Sequence, residues 1–187
     1  MKPEKEILLH VGAVHASAEP AVIKTLLGSC IAVCLFDPAV RVGGMNHFLL
    51  PQGSSNGPQD DPARFGVHAM DRLVGEMLKL GSSPSRFVVK VFGGASVLAM
   101  PANGGHIPQS NVTFVREYLA REGLRVAASS VGGTLPRQLR FFTDTGRVLV
   151  RRVVTLRTQE RLLEREAEQR RIPGEFGDVT LFRGGRR

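Results

Sequence analysis

Cys30 and His47 are the residues of this chain whose types and spacing point most directly to chemistry. They lie in one stretch, 24–51, KTLLGSCIAVCLFDPAVRVGGMNHFLLP, which holds both cysteines and one of the five histidines. A thiolate is a strong nucleophile and an imidazole is a base that works near neutral pH. A cysteine and a histidine on neighbouring strands are therefore a candidate nucleophile–base pair. Gly28-Ser29 stands just before Cys30, where a tight bend would bring backbone N–H groups of Ser29–Ile31 close to the thiol, as donors for an oxyanion. Taken alone, such a pair is more often structural, because cysteine is a common core residue. Cys34 points the same way as Cys30 in an ideal strand, but deeper, and reads as core.

The elements that must position the pair read as two apolar strands, 31–36 and 43–50, joined by a turn at Asp37-Pro38. With a two-residue loop, Cys30 falls directly opposite His47, at a Cβ separation of roughly 4.5–5.5 Å. A three-residue loop reverses the parity and sends His47 to the other face. Gly43-Gly44 could host a bulge that shifts the register. Sequence alone leaves these open. Upstream, 22–27 is a short apolar strand containing Thr25. In an unbroken strand Thr25 and Cys30 would face opposite ways, so the Gly28-Ser29 bend must break the alternation for Thr25 to join the site.

The remaining chain alternates strands and helices. Residues 6–16 read as a first strand, with His10 and His15 as surface or edge residues. After a loop-like stretch, 53–62, Asp61 and Pro62 suit the start of a helix carrying Phe65, Met70, Leu73, Val74, Met77 and Leu78 at near-helical spacing, with His68 off the stripe. A buried strand over 86–92 ends at Gly93-Gly94, which admit close approach of another backbone or mark a turn. Residues 100–110 read as a loop containing His106. A helix over 112–121 follows, capped by Ser110 or Asn111, then a strand over 124–131 and a hairpin around Asp144-Thr145-Gly146. The expected architecture is α+β, a layered sandwich of mixed β-sheet with two main helices. A charged helix over 159–171 and an arginine-rich tail form a C-terminal extension, so the domain division is 1–156 and 157–187.

Composition narrows the function classes. The chain has 187 residues, 42% hydrophobic and 22% charged, with a net charge of +8, which is ordinary for a globular domain apart from its basicity. No apolar run approaches the roughly 20 residues that span a bilayer, and Glu4 and Glu6 stand where a signal peptide would be basic. Two cysteines four apart along one strand are poorly placed to bridge, which favours a reduced, cytoplasmic protein. Residues 1–115 hold nine Lys/Arg against eight Asp/Glu, and residues 116–187 hold sixteen against nine. The basicity belongs to the C-terminal half and suits an acidic protein partner. One tyrosine and no tryptophan argue against a single-strand nucleic-acid binder. Cys30, Cys34 and His47 lack a fourth ligand and metal-type spacing, so neither metal nor cofactor is expected.

TLLGSCIAVCLFDP followed by GGMNHFLLP resembles the CheD family of bacterial chemoreceptor glutamine deamidases, as do ARFGVHAM, KVFGGAS at 90–96, Asn111 and SSVGG at 129–133. The resemblance spans roughly 20–155. It departs from the family pattern at Pro108 and at Pro136, where a glycine often precedes the arginine now at Arg137. It implies a layered α+β fold, similar to the catalytic domain of deamidating cytotoxic necrotizing toxins, with Cys30 as nucleophile, His47 as base and Thr25 orienting the imidazole. It also implies chemotaxis receptors as substrates, conversion of their glutamines to glutamate through a thioester, and an esterase side reaction. CheC, a chemotaxis phosphatase, is a further implied partner, and the expected state is a monomer. A receptor- or CheC-binding module with dispensable chemistry is the alternative. A papain-like peptidase fits poorly, because seventeen residues separate the cysteine from the histidine where that family has a long separation.

Overall fold

A computed structural model of the chain describes residues 5–50, 63–97, 107–154 and 164. Among the described residues, nine strands and two α-helices follow one another as β1 (Lys5–Leu8), β2 (Val14–Ser17), β3 (Ala21–Leu27), β4 (Ile31–Asp37), β5 (Val42–Asn46), α1 (Ala63–Lys79), β6 (Val88–Gly93), α2 (Ile107–Arg121), β7 (Val126–Val131), β8 (Arg137–Phe142) and β9 (Val148–Arg152), with a 3-10 turn at Pro84–Arg86 before β6. They form a four-stranded sheet in the order β1-β3-β8-β9 and a five-stranded sheet in the order β2-β5-β4-β6-β7. Both sheets are mixed, with β1–β3 and β6–β7 parallel and the other pairs antiparallel.

β4 is the centre of the molecule, and its sequence IAVCLFD explains why. A strand buried on both faces reads as a continuous apolar run rather than an alternation. Ile31, Val33 and Leu35 pack with Met70, Leu73 and Met77 of α1 and Phe114, Val115 and Leu119 of α2. Cys30, Ala32 and Cys34, on the other face, pack with Ile23, Leu27, Leu139 and Phe141 of the four-stranded sheet. The layers are sheet, sheet and helices, an α+β sandwich as the sequence predicts.

Several expectations are corrected. Residues 6–16 are two strands in different sheets, because the chain turns at Gly12, whose φ of 81° favours glycine. α2 begins at Ile107, so 107–110 is helical rather than loop, and Asn111 lies inside the helix rather than capping it. Phe65 and Leu78 are exposed, leaving Met70, Leu73 and Met77 as the buried stripe of α1. The β4–β5 loop has four residues, 38–41, with Arg41 at φ 54°. Gly43-Gly44 hosts no bulge. A Cβ on Gly43 would lie 2.5 Å from the Thr143 carbonyl, so this glycine lets the sheets approach. The cap at Asp61-Pro62, His106 and all of the predicted C-terminal helix except Glu164, which is helical, lie outside the described residues.

Candidate active site

The four-residue loop decides the register of the proposed pair. Asp37 faces Val42 and Cys34 faces Met45, and Ile31 bridges Phe48. Continuing that register sets Cys30 opposite Leu49 and His47 opposite Ala32. A slip of two residues from the tight-turn register preserves parity, so Cys30 and His47 share a face as a diagonal pair. Such diagonals are within reach of a long side chain. The face is the one between the two sheets.

Thr25 reaches this site because Gly28-Ser29 carries the chain from one sheet to the other. Thr25 stays in the four-stranded sheet and looks across at the five-stranded one. Its Oγ1 lies 2.8 Å from His47 Nδ1 and donates to the Leu9 carbonyl at 2.7 Å. With its proton given to Leu9, the hydroxyl accepts from Nδ1–H. That fixes the tautomer with the lone pair on Nε2, the state a general base needs.

The 9–13 connection clamps the same histidine from behind. Gly12 N–H donates to the His47 carbonyl at 2.7 Å, and His47 N–H donates to the Ala13 carbonyl at 3.1 Å. Thr25 is 2% exposed, His47 3% and Cys30 1%. Burial pulls the His47 pKa down to about 4, against the Leu9 carbonyl, which raises it; the nearby His10 lowers it further. The imidazole therefore rests neutral. Its Nε2 is buried and makes no hydrogen bond among the described residues. Cys34 is also buried, and desolvation pushes its thiol up despite the nearby Lys90 ammonium. It is not bridged to Cys30.

The bend that carries Cys30 is pinned carbonyl by carbonyl. The Gly28 carbonyl accepts from Ala95 N–H at 2.7 Å and the Cys30 carbonyl from Gly94 N–H at 2.8 Å. The Ser29 carbonyl accepts from Asn111 Nδ2 at 2.8 Å. Gly93 makes this approach possible: at φ 113°, a Cβ there would lie 2.0 Å from the Cys30 carbonyl oxygen. Of the amides that sequence reading proposed as oxyanion donors, Ile31 N–H is committed to the Phe48 carbonyl at 2.9 Å.

Two asparagines were missed as site-building residues. Asn111 is fully buried; its Oδ1 accepts from Leu50 N–H at 2.9 Å while its Nδ2 holds Ser29. It joins the bend at Cys30 to the chain just past His47. Asn46 sits between β4 and α1, where its Oδ1 takes the Val33 N–H at 2.9 Å and its Nδ2 donates to the Ala69 carbonyl at 3.1 Å. A side chain thus replaces a ladder carbonyl one residue before His47. The signal available was a buried amide next to a candidate base, in MNHF.

Residues 49–152 match the family model described as CheD chemotactic sensory transduction. The chain is 44% identical over 172 residues to the "Probable chemoreceptor glutamine deamidase CheD" of Cereibacter sphaeroides, covering 91% of this chain and 82% of that one. It is 41% identical over 176 residues to the protein of the same name from Laribacter hongkongensis, covering 91% and 84%. Among solved structures, the Bacillus licheniformis hypothetical protein YfiH aligns at a TM-score of 0.40 and 14% identity over 63% of this chain and 49% of that one, too slight a likeness to carry an argument. With a family model over more than half its length and relatives above 40% identity over nearly all of it, the chain belongs to the CheD family.

Proposed function

We propose that this protein is a protein-glutamine deamidase acting on chemotaxis receptors, with Cys30 as nucleophile, His47 as general base and acid, and Thr25 holding the imidazole. The observation that carries the reading is the Thr25 hydroxyl on Nδ1 of a buried, neutral histidine whose Nε2 has no protein partner, on the same face as Cys30. Relatives named chemoreceptor glutamine deamidase supply the substrate class.

In this reading His47 Nε2 takes the thiol proton as Sγ attacks the side-chain carboxamide carbon. The carbonyl π pair moves to oxygen, and backbone amides at the bend stabilise that charge. Collapse expels ammonia, which receives its proton from the imidazolium, and leaves a thioester. Nε2 then deprotonates water for attack on the thioester, and Cys30 departs and is reprotonated, giving glutamate. Because the thiol is buried, the site must open for a substrate or a small reagent to reach it. Residues 1–156 constitute the catalytic domain and 157–187 an extension outside it. The protein acts as a cytoplasmic monomer.

Intact-mass spectrometry of receptor fragments incubated with the protein tests this. The expected result is a gain per converted site matching replacement of an amide NH2 by OH, absent with Cys30→Ala. No gain on any receptor fragment would overturn it. The burial of Cys30 favours one second reading, a receptor- or CheC-binding module with dispensable chemistry. Under that reading, Cys30→Ala would bind these partners and complement a deletion strain as well as the native chain.

A further inference from the structure

Arg137 is a buried cation that the chemistry above does not use. It is 4% exposed, and all three of its hydrogen bonds go to neutral acceptors. Nε donates to Ser130 Oγ at 3.0 Å, Nη1 to the Gly93 carbonyl at 3.3 Å and Nη2 to the Gly132 carbonyl at 2.5 Å. Among the described residues no carboxylate lies within ion-pair distance of it. Burying an ion without a counter-charge is costly, and burial does pull this guanidinium's pKa down, with Arg152 adding repulsion. Three neutral dipoles hold this charge, and an anion forming nearby would hold it better.

The sheet order shows where that anion forms. β4 lies between β5 and β6. His47 follows β5, on one side of Cys30. Arg137, at the start of β8, reaches across to the ends of β6 and β7, on the other side. The peptide whose carbonyl it holds is the one whose N–H, from Gly94, donates to the Cys30 carbonyl. The next peptide continues the chain, from Ile31 N–H to the Phe48 carbonyl. Aligned peptides in a buried chain polarise one another.

We propose that Arg137 is a positioning residue for Cys30, holding the Gly93–Gly94 peptide against the nucleophile and favouring negative charge there, first on the thiolate and then on the tetrahedral oxyanion. This rests on Cys30 being the nucleophile of the proposed deamidase. When the S–H bond breaks and the proton passes to Nε2, the anion stands between an imidazolium on one side and a fixed guanidinium on the other. Among the described residues, the charged and titratable groups that face its partners are His10 near His47, Lys90 near Cys34 and Arg152 near Arg137.

The test is the pH dependence of iodoacetamide alkylation at Cys30 in the full chain, read by peptide mapping, alongside deamidation kinetics. Arg137→Met should raise the alkylation midpoint by about one pH unit and lower kcat more than about ten-fold with KM within about three-fold. Arg137→Lys keeps the charge but loses the fork, so its midpoint should stay native while kcat falls. A folded Arg137→Met with a native midpoint overturns the proposal, as does an Arg137→Lys midpoint displaced as far as that of Arg137→Met. If Arg137→Met does not fold, Ser130→Asp neutralises the guanidinium in place. Its midpoint should exceed that of Ser130→Asn, and equal midpoints overturn the proposal. Alkylation needs no glutamine substrate, so failure here is distinct from failure of the deamidase reading.

Discussion

The two ends of β4 carry buried polar groups treated in opposite ways. At the C-terminal end, Asp37 is fully buried and every approach to its carboxylate is filled. Oδ1 accepts from Ala39 N–H at 3.0 Å and Oδ2 from Ser83 N–H at 3.0 Å, while Arg86 donates to both oxygens, at 2.7 Å from Nη2 to Oδ2. At the N-terminal end, His47 is held by its backbone and its Nδ1, and its Nε2 has nothing to bond. Leaving a buried polar atom unsatisfied costs about 1–3 kcal/mol. The same strand that satisfies one end completely leaves that cost standing at the other. A closed network serves the fold, and an unengaged lone pair on the face that Cys30 shares is what a base requires.

The largest break in this contrast comes from removing the proposed reacting groups. Cys30→Ala and His47→Ala should each reduce glutamine conversion by about 10⁴-fold or more, with the fold retained by circular dichroism, because nucleophile and base act as a unit. The pH profile sharpens the same point. A base works when neutral, above its pKa, and burial sets that of His47 to about 4. The acid limb of kcat/KM should therefore lie near pH 4; a limb near the ordinary histidine value would mean a hydrated ring. The stability sign follows. The folded pKa is below the unfolded one, so the contribution of neutral His47 is complete above the ordinary histidine pKa and is lost as pH falls toward 4. Urea titrations at several pH values should show this slope, and His47→Gln should lack it.

Next in size is Thr25, proposed to orient His47 through Nδ1. Thr25→Val keeps the shape but removes the hydroxyl between Nδ1 and the Leu9 carbonyl. kcat should fall roughly 10–100-fold with little change in KM, as for loss of an orienting partner. A native kcat would show that Leu9 alone orients the ring. Asn111→Asp is isosteric and keeps the acceptor for Leu50, but cannot donate to Ser29. It should cost roughly ten-fold in kcat by loosening the bend, and a change confined to KM would place Asn111 in binding instead.

How much of this was legible beforehand follows from what kind of information each feature carries. Cys30, His47 and the buried strands lie in one continuous stretch, so residue type and period suffice to single out the pair, while its reading as a reacting pair comes from the resemblance. The parity of the hairpin hung on a loop length that Pro38 and the following residues do not specify, and the four-residue answer is visible only in the register. Thr25 was placed by resemblance, since its role depends on the chain changing sheets at Gly28-Ser29. Asn46, Asn111 and Arg137 were not given roles because their partners are carbonyls and amides distant in sequence, and backbone groups leave no residue-type signal. Gly12 carries no break signal in the sequence, because the flanking apolar residues fit one strand as well as two.

At the closed end of β4 the expected effect is on stability rather than turnover. Arg86 holds the Asp37 carboxyl down at about 2, with the Ser83 and Ala39 amides helping against burial. Its folded pKa is below the unfolded value. Its stabilisation is therefore full above the ordinary aspartate pKa and fades as pH falls toward 2. Asp37→Asn should cost about 2–3 kcal/mol at neutral pH, a fall in Tm of roughly 5–10 °C. kcat at a temperature where the variant is folded should remain within about two-fold, since the change is at the far end of the strand from Cys30. Equal losses of kcat and stability would mean the two ends are coupled through β4.

The smallest effect is expected from the C-terminal extension, and the charge count shows why. Residues 157–187 hold eight arginines against six carboxylates, only two of the seven net positive charges beyond residue 115. Most of the basic surface stays behind on the folded domain, where Arg116, Arg121, Arg125, Arg147, Arg151 and Arg152 are exposed. Steering by such charges is screened over roughly 8 Å at physiological salt. Truncation after Leu156 should therefore leave kcat at saturating receptor fragment unchanged and slow association by less than about two-fold. The salt dependence of kcat/KM should persist in the truncated protein, because its source is still present. Kinetics of both forms at two salt concentrations would check this. A salt dependence that vanishes on truncation would assign the steering to the extension, and loss of turnover at saturating substrate would move the boundary of the catalytic domain past residue 156.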